Sequence, residues 1–274
     1  MERRPYIRKN ISKDIIIMER YSRNRIYIPP ENQDRIRQAR ILLAGAGIGS
    51  IIAECALRLG FEKITIIDGD KVELSNLNRQ NYTVADIGQY KAEALCRRLK
   101  SINPDADIRH VNAFINEDNV KDMVDGCDIA VNALDFKDRT PFVFDEICSG
   151  KGIPVLHPYN FGWSGFLTVV RPKDRMLAEL SSSPEGFELQ VAEFAARHCA
   201  SRNKRNQELE DVIRRYRAEK GQLPPPQLAI GSWLTAGLCV HAMYNITVGK
   251  PVNYFPQFYL SSMAVMDGEA PRSC

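Results

Sequence analysis

Between a short apolar run and a stretch with helical spacing, the chain places Gly45-Ala46-Gly47-Ile48-Gly49. A glycine-rich turn that enters a helix presents backbone N–H groups to a phosphate, and the helix N-terminus favours the negative charge. Asp68 closes a second apolar run about twenty residues on, placed to accept hydrogen bonds from ribose hydroxyls. These features suit a nucleotide. The same glycines also serve a tight turn and close packing, and Asp68 also suits a strand-end cap. After Asp68 the sequence runs Gly69-Asp70-Lys71-Val72-Glu73-Leu74-Ser75-Asn76-Leu77-Asn78-Arg79-Gln80. An arginine grips phosphate oxygens bidentately and an asparagine amide adds donors, which fits a triphosphate better than a dinucleotide.

The flanking elements must hold these groups at one edge of a sheet. Arg40–Ala44 and Lys63–Ile67 read as strands around a helix over 50–59 that stops at Gly60, a βαβ unit. The alternation continues with helices expected over 85–102, 116–124 and 139–149, and strands over 107–111, 128–132 and 153–157. This spacing predicts an α/β fold, a doubly wound, mostly parallel, Rossmann-like sheet. Phe166–Val170 follows too soon for a helical crossover and is expected antiparallel, the start of a C-terminal antiparallel extension. The division expected is an N-terminal helical segment (1–39), in which Pro29-Pro30 breaks the pattern, and a nucleotide-binding core (40–171). A mobile excursion (172–226) with a polar helix over 193–220 follows, then a C-terminal part (227–274) with a buried helix over 228–247, a strand over 254–260 and an unpacked tail from Gly268.

Composition narrows the function classes. With 44% hydrophobic and 26% charged residues, the 274-residue chain falls in the ordinary globular range. Its net charge is only +3, and the basic excess sits in the first forty residues, so a protein that coats nucleic acid is not expected. The N-terminal apolar run Ile15–Met18 is too short for a signal-peptide core. The uncharged stretch 222–249 is broken by Gly231, Ser232, Gly237, His241 and Asn245, which favours a buried helix over a membrane span. His157 and His241 lie in apolar runs and read as core histidines. Seven scattered cysteines without a C-x-x-C pair suggest reduced thiols in the cytoplasm and no two-knuckle structural zinc.

Beyond Ser75–Gln80, the chain carries Gly88-Gln89-Tyr90-Lys91-Ala92, Ile102-Asn103-Pro104, Asp135 followed by Arg139, Gly152-Ile153-Pro154-Val155, a Gly162–Gly165 turn and, upstream, Arg20-Tyr21-Ser22-Arg23. Together they resemble the ThiF/MoeB/HesA family, bacterial relatives of ubiquitin-activating enzymes. The resemblance implies an ATP-dependent adenylyltransferase, a nucleotidyltransferase that activates the C-terminal carboxylate of a small ubiquitin-like or sulfur-carrier protein. It implies that Gly45, Gly47, Gly49, Asp68, Ser75, Asn76, Leu77, Asn78, Arg79, Lys91 and Asp135 surround ATP. Arg79, Lys91 and Asp135 would be catalytic, with Asp135 holding Mg²⁺, and Arg23 would reach into a neighbouring subunit's site, which makes a homodimer.

The chain departs from that family in two ways. Its glycine turn is a residue shorter than G-x-G-G-x-G, with Ile48 in place of a central glycine, and it has no C-x-x-C pairs. The one cysteine of the excursion, Cys199, is the candidate thioester residue, flanked by Arg197, His198 and Arg202, whose positive charge favours a thiolate. Rival readings are the same half-reaction on a small molecule, a peptide terminus or a tRNA base, a non-catalytic subunit that binds a ubiquitin-like protein, and an NAD-dependent oxidoreductase. No membrane association is expected, and tRNA is a less favoured partner.

Overall fold

Five-residue runs rich in Ile, Leu and Val pair at the centre of one seven-stranded sheet, seen in a computed structural model that describes residues 19–202, 205–219 and 223–262. The order is β3-β2-β1-β4-β5-β6-β7, from β1 (Arg40–Ala44), β2 (Lys63–Ile67), β3 (Asp107–Val111), β4 (Ile129–Asn132), β5 (Val155–Phe161), β6 (Ser164–Val170) and β7 (Tyr259–Ser262). β3, β2, β1, β4 and β5 are parallel, and β6 and β7 extend the sheet antiparallel. The expected doubly wound fold with its antiparallel extension is therefore present.

The helices are α1 (Pro30–Gln38), α2 (Gly49–Leu59), α3 (Lys91–Ile102), α4 (Val120–Met123), α5 (Thr140–Lys151), α6 (Phe187–Ser201), α7 (Gln207–Ala218) and α8 (Ala229–Val248). Under α1, α2, α3 and α8 one apolar cluster joins Ile36, Ile52, Leu57, Leu95 and Met243 to the sheet. Under α5, α6 and α7 a second joins Phe142, Phe144, Val191 and Leu209 to the other face. Strands covered on both faces must be apolar throughout, which is why β1 and β4 show no polar alternation. Gly165 on β6 admits α8 closely, since a Cβ there would lie 2.5 Å from the Thr235 backbone nitrogen.

Several expected elements differ. The helix expected over 85–102 is a 3₁₀ turn (Val84–Asp86) followed by α3, because the chain between them bends to pair Tyr90 with Lys71. The helix expected over 116–124 is one turn, because Asn116 and Asn119 side chains accept the backbone N–H groups of Asn119 and Asn116. Pro30 starts α1 instead of breaking it, as a proline without an N–H suits a first helical position. The expected strand over 254–260 begins only at Tyr259. The polar stretch over 193–220 is two helices, and the excursion does not leave the sheet: Phe187, Val191, Ala195, Leu209 and Ile213 are buried in the second core. No described helix is long and apolar enough to cross a membrane, and α8 packs on β5 and β6 as a buried helix. The readings of Ile15–Met18 and of the tail from Gly268 fall outside the described residues.

Candidate active site

The turn after β1 is held from both sides. Gly45 takes a φ of +99°, donates its N–H to the Ile67 carbonyl at 2.9 Å, and abuts Ala133 so closely that any Cβ would collide with that residue's carbonyl oxygen. Glycine is required there by both conformation and space. Gly47 faces the Gln80 side chain, and Gly49 opens α2 into free space. Ser50, in the first turn of α2, is buried: its hydroxyl donates to the Gly47 carbonyl at 2.7 Å and accepts the Asn81 N–H at 2.9 Å. Tyr82 donates its phenol proton to the Ala46 carbonyl at 2.8 Å. The segment that follows β2 is thus clamped to the glycine turn.

Asp68, at the end of β2, accepts the Ala46 N–H at 2.6 Å on one oxygen and the Asp70 N–H at 2.7 Å on the other. Burial raises its pKa, although those two N–H donors and nearby Lys91 oppose the shift. The strand-end role is real, and each oxygen keeps a second lone pair for a hydroxyl donor. Asn76, 7% exposed, accepts the Glu73 N–H on Oδ1, while its Nδ2 makes no hydrogen bond among the described residues. Lys91 is the first residue of α3, and its buried side chain brings Nζ to 3.0 Å from Asp70 Oδ2. A buried ammonium needs such a partner.

Arg79 is spread between loops. Its Nε donates to Gln227 Oε1 at 2.7 Å and its Nη1 to the Ser75 carbonyl at 2.9 Å and to Asn78 Oδ1 at 2.9 Å. Burial lowers its pKa, and the field of Asp135 acts in the opposite sense, so guanidinium and carboxylate share one electrostatic environment. Asp135 lies in the loop between β4 and α5, mostly exposed and paired with Lys137 at 3.1 Å. That loop is roofed by the excursion: Phe136 stacks on Phe187 of α6 with centroids 4.3 Å apart. Burial raises the pKa of Glu188, the next residue of α6, with the Asp135 charge adding to the rise. The turn after β1 and the loops after β2 and β4 therefore face one another at the carboxyl ends of central strands, the crevice where open α/β sheets bind ligands.

Two expected residues lie elsewhere. Arg23 is exposed in a 3₁₀ turn (Ser22–Asn24) whose neighbours Tyr21 and Asn24 bond to Glu62 and to the Leu59 carbonyl, at the opposite edge of the sheet. Cys199 is near the C-terminal end of α6, twelve residues beyond Phe187 and hence about 18 Å along the axis from the Asp135 loop. Of its flanking cations, Arg197 pairs with Glu193 at 3.5 Å, and burial lowers the His198 pKa, with Arg202 adding to the effect. His241 is exposed on α8, not in the core. Sequence reasoning missed Gln227, Tyr82 and Asp70 as supports for the site. Asp70 stood inside the singled-out stretch, whereas Gln227 is 148 positions from Arg79 and gave no signal.

A surface cavity of about 580 Å³ opens beside Asp34, Arg35, Gln38 and Asp128, at the amino ends of β1 and β4. It brings together no nucleotide-directed residues, and the chemistry favours the crevice. Among the described residues no group of three or more His, Cys, Asp or Glu is arranged around a metal ion. A single exposed carboxylate fits Mg²⁺ nonetheless, because that ion is usually held by one or two carboxylates and the phosphates of its substrate.

Comparison with known proteins bears on the family and the fold. The chain is 32% identical over 166 residues to the SAMP-activating enzyme E1 of Haloferax volcanii, a match covering 59% of this chain and 61% of that protein. It is 35% identical over 159 residues to the sulfur carrier protein ThiS adenylyltransferase of Bacillus subtilis, covering 56% of this chain and 47% of that one. The matches thus span about half to three fifths of these relatives. A tRNA threonylcarbamoyladenosine dehydratase of Haemophilus influenzae is 35% identical over 114 residues, 40% of this chain and 43% of its own. Among solved structures, PaaA superposes with a TM-score of 0.67 at 18% identity, covering 96% of this chain and 84% of that one. MccB of E. coli with ATP superposes with a TM-score of 0.66 at 19% identity, covering 89% and 71%, which establishes a common fold. The ThiF family model matches residues 21–270, so the chain belongs to the ThiF family.

Proposed function

We propose that this protein is an ATP-dependent adenylyltransferase that activates the C-terminal carboxylate of a small ubiquitin-like or sulfur-carrier protein in the cytoplasm. A carboxylate oxygen attacks the α-phosphorus of ATP, the bond from that phosphorus to the bridging oxygen breaks, and pyrophosphate leaves the acyl-adenylate behind. The carboxylate is already ionised near pH 7, so no general base is required. The observation that supports this reading is that the segment after β2, which carries Asn76 and Arg79, is clamped to the glycine turn through Asp68, Ser50 and Tyr82, with Lys91 paired to Asp70 beside it and the strand end before Asp135 bonded to Ala44. In this reading the N–H groups of the turn and Asp68 hold the nucleotide, Arg79 and Lys91 exchange Gln227 and Asp70 for phosphate oxygens, and Asn76 adds a donor from Nδ2. Asp135 leaves Lys137 to hold Mg²⁺, which supplies charge neutralisation on the phosphates. Arg23, remote from its own crevice, completes the site of a second copy in a homodimer.

The relatives named as activating enzymes and carrier adenylyltransferases support the protein acceptor. The dehydratase relative supports a second reading, a carboxylate on tRNA. Calorimetric titration tests the nucleotide: ATP with Mg²⁺ is expected to bind and NAD is not, and tighter binding of NAD overturns the assignment. Acceptor-dependent ATP–pyrophosphate exchange with a carrier ending in a free carboxylate, compared with salt-sensitive tRNA binding, separates the two acceptors.

A further inference from the structure

Three buried polar side chains stand beside the second apolar core, behind the loop that follows β4. Asn132, Asp145 and His157 are 4%, 2% and 1% exposed. Asn132 is the last residue of β4, and its Nδ2 donates to Asp145 Oδ1 and to the Pro141 carbonyl, both at 2.9 Å, spanning to the first turns of α5. Its own Oδ1 accepts the Leu134 N–H at 3.4 Å. The other oxygen of Asp145 is met by His157 Nε2 at 3.0 Å. His157 lies on β5 one step beyond the Val131–Leu156 pair, opposite Asn132, and neither ring nitrogen meets hydrogen-bond geometry, so its approach to Asp145 is a contact at ion-pair distance.

A core of this kind is built more cheaply from apolar side chains, because desolvating an aspartate and a histidine offsets most of what their attraction returns. Stability therefore does not explain the trio, and its position does. Asn132 and Pro141 bound the loop that carries Asp135, and the Asn132 amide ties the two ends of that loop together. The next residue, Ala133, is fixed to the glycine turn through its N–H to the Ala44 carbonyl at 2.8 Å. We propose that Asn132, Asp145 and His157 are positioning residues: His157 orients Asp145, Asp145 orients the Asn132 amide, and the amide fixes the loop so that Asp135 faces the phosphates. This rests on the adenylation reading for its consequence and on the loop alone for its mechanics. Groups behind a metal-directed carboxylate commonly set metal affinity or activity by ~10–100-fold.

The test replaces the ion pair with apolar residues of similar size, Asp145→Leu with His157→Phe, in the full chain. The double variant is expected to unfold at or above the parental temperature, while amide exchange over 134–137 accelerates by about tenfold and other segments stay protected. Calorimetry of ATP binding at graded Mg²⁺ is expected to show the half-saturating Mg²⁺ concentration raised about tenfold, with metal-free ATP binding unchanged. The single variant His157→Gln, which turns an amide N–H donor toward the intact Asp145, is expected to keep both at parental values. If the double variant fails to fold, Asn132→Ala is read by the same two measurements. Parental exchange over 134–137, or acceleration spread evenly over the chain, overturns the proposal. A parent that supports no ATP–pyrophosphate exchange overturns the adenylation reading instead, and the amide-exchange measurement still decides what the trio does.

Discussion

At the scale of single residues, Asp135 and Asp68 differ in what surrounds them, and so in what their removal does. Asp135 is exposed and, among the described residues, paired with Lys137, so Asp135→Ala is expected to leave stability within about 0.5 kcal/mol of the parent, as surface substitutions do. The same change is expected to abolish acceptor-dependent ATP–pyrophosphate exchange. Near-normal exchange in that folded variant removes Asp135 from the chemistry. Asp68 instead accepts two backbone N–H groups that shape the glycine turn. Asp68→Asn turns an amide NH₂ toward one of those donors, and is expected to cost about 1–3 kcal/mol of stability besides weakening ATP. Thermal unfolding distinguishes the roles: weaker ATP binding with an unchanged midpoint confines Asp68 to the ribose.

Between elements, the first helix after the glycine turn is fastened to the next by a carboxylate. Glu54 on α2 is 5% exposed and takes Arg98 of α3 at 2.6 Å and Arg58 at 2.8 Å. Burial alone raises its pKa, but the hydrogen bonds from Arg98 and Arg58 prevail and lower it. A folded pKa below the unfolded one gives stability that is complete above the unfolded carboxylate range and is lost as pH falls through the folded value, below about pH 4. Glu54→Gln is therefore expected to cost about 2 kcal/mol at pH 7, and its deficit to shrink toward pH 3 in urea unfolding. A deficit independent of pH assigns the effect to packing. Such pairings mark the limit of what the sequence discloses. β1 and β2 were legible to the residue because inner strands covered on both faces must be largely apolar runs, and the edge strand β3, with Asp107, Arg109 and His110 exposed, was legible from its place in the alternation of strands and helices. Ser75–Gln80 was legible because local order brings it to the end of β2. The contacts Arg79–Gln227 and Asp145–His157 were not, because nothing in a single chain links residues that only folding brings together. The covering of the Asp135 loop by Phe187 escaped notice for a related reason, since the excursion's apolar residues are spaced among charges that face outward.

For the molecule as a whole, the position of Arg23 makes a claim about assembly testable. Its turn is fastened to Leu59 and Glu62, at the end of α2 remote from the glycine turn, and α2 with eleven residues is about 16 Å long. An arginine side chain does not bridge that distance within its own chain. If Arg23 serves a crevice, that crevice belongs to a second copy, and a two-fold axis makes the exchange mutual. Arg23→Ala and Asp135→Ala are then each expected to be inactive alone. Mixed with free exchange of subunits, they form heterodimers in which one site joins an intact Asp135 to the other chain's intact Arg23, while the second site lacks both. About half of the dimers are mixed and each has one working site of two, so activity is expected to return to about a quarter of the parental value. Native mass spectrometry of the mixture, which separates the mixed dimer from both homodimers by mass, verifies that exchange has occurred. With exchange verified, no recovery means that Arg23 takes no part in a partner's site, and the shared-site dimer is wrong.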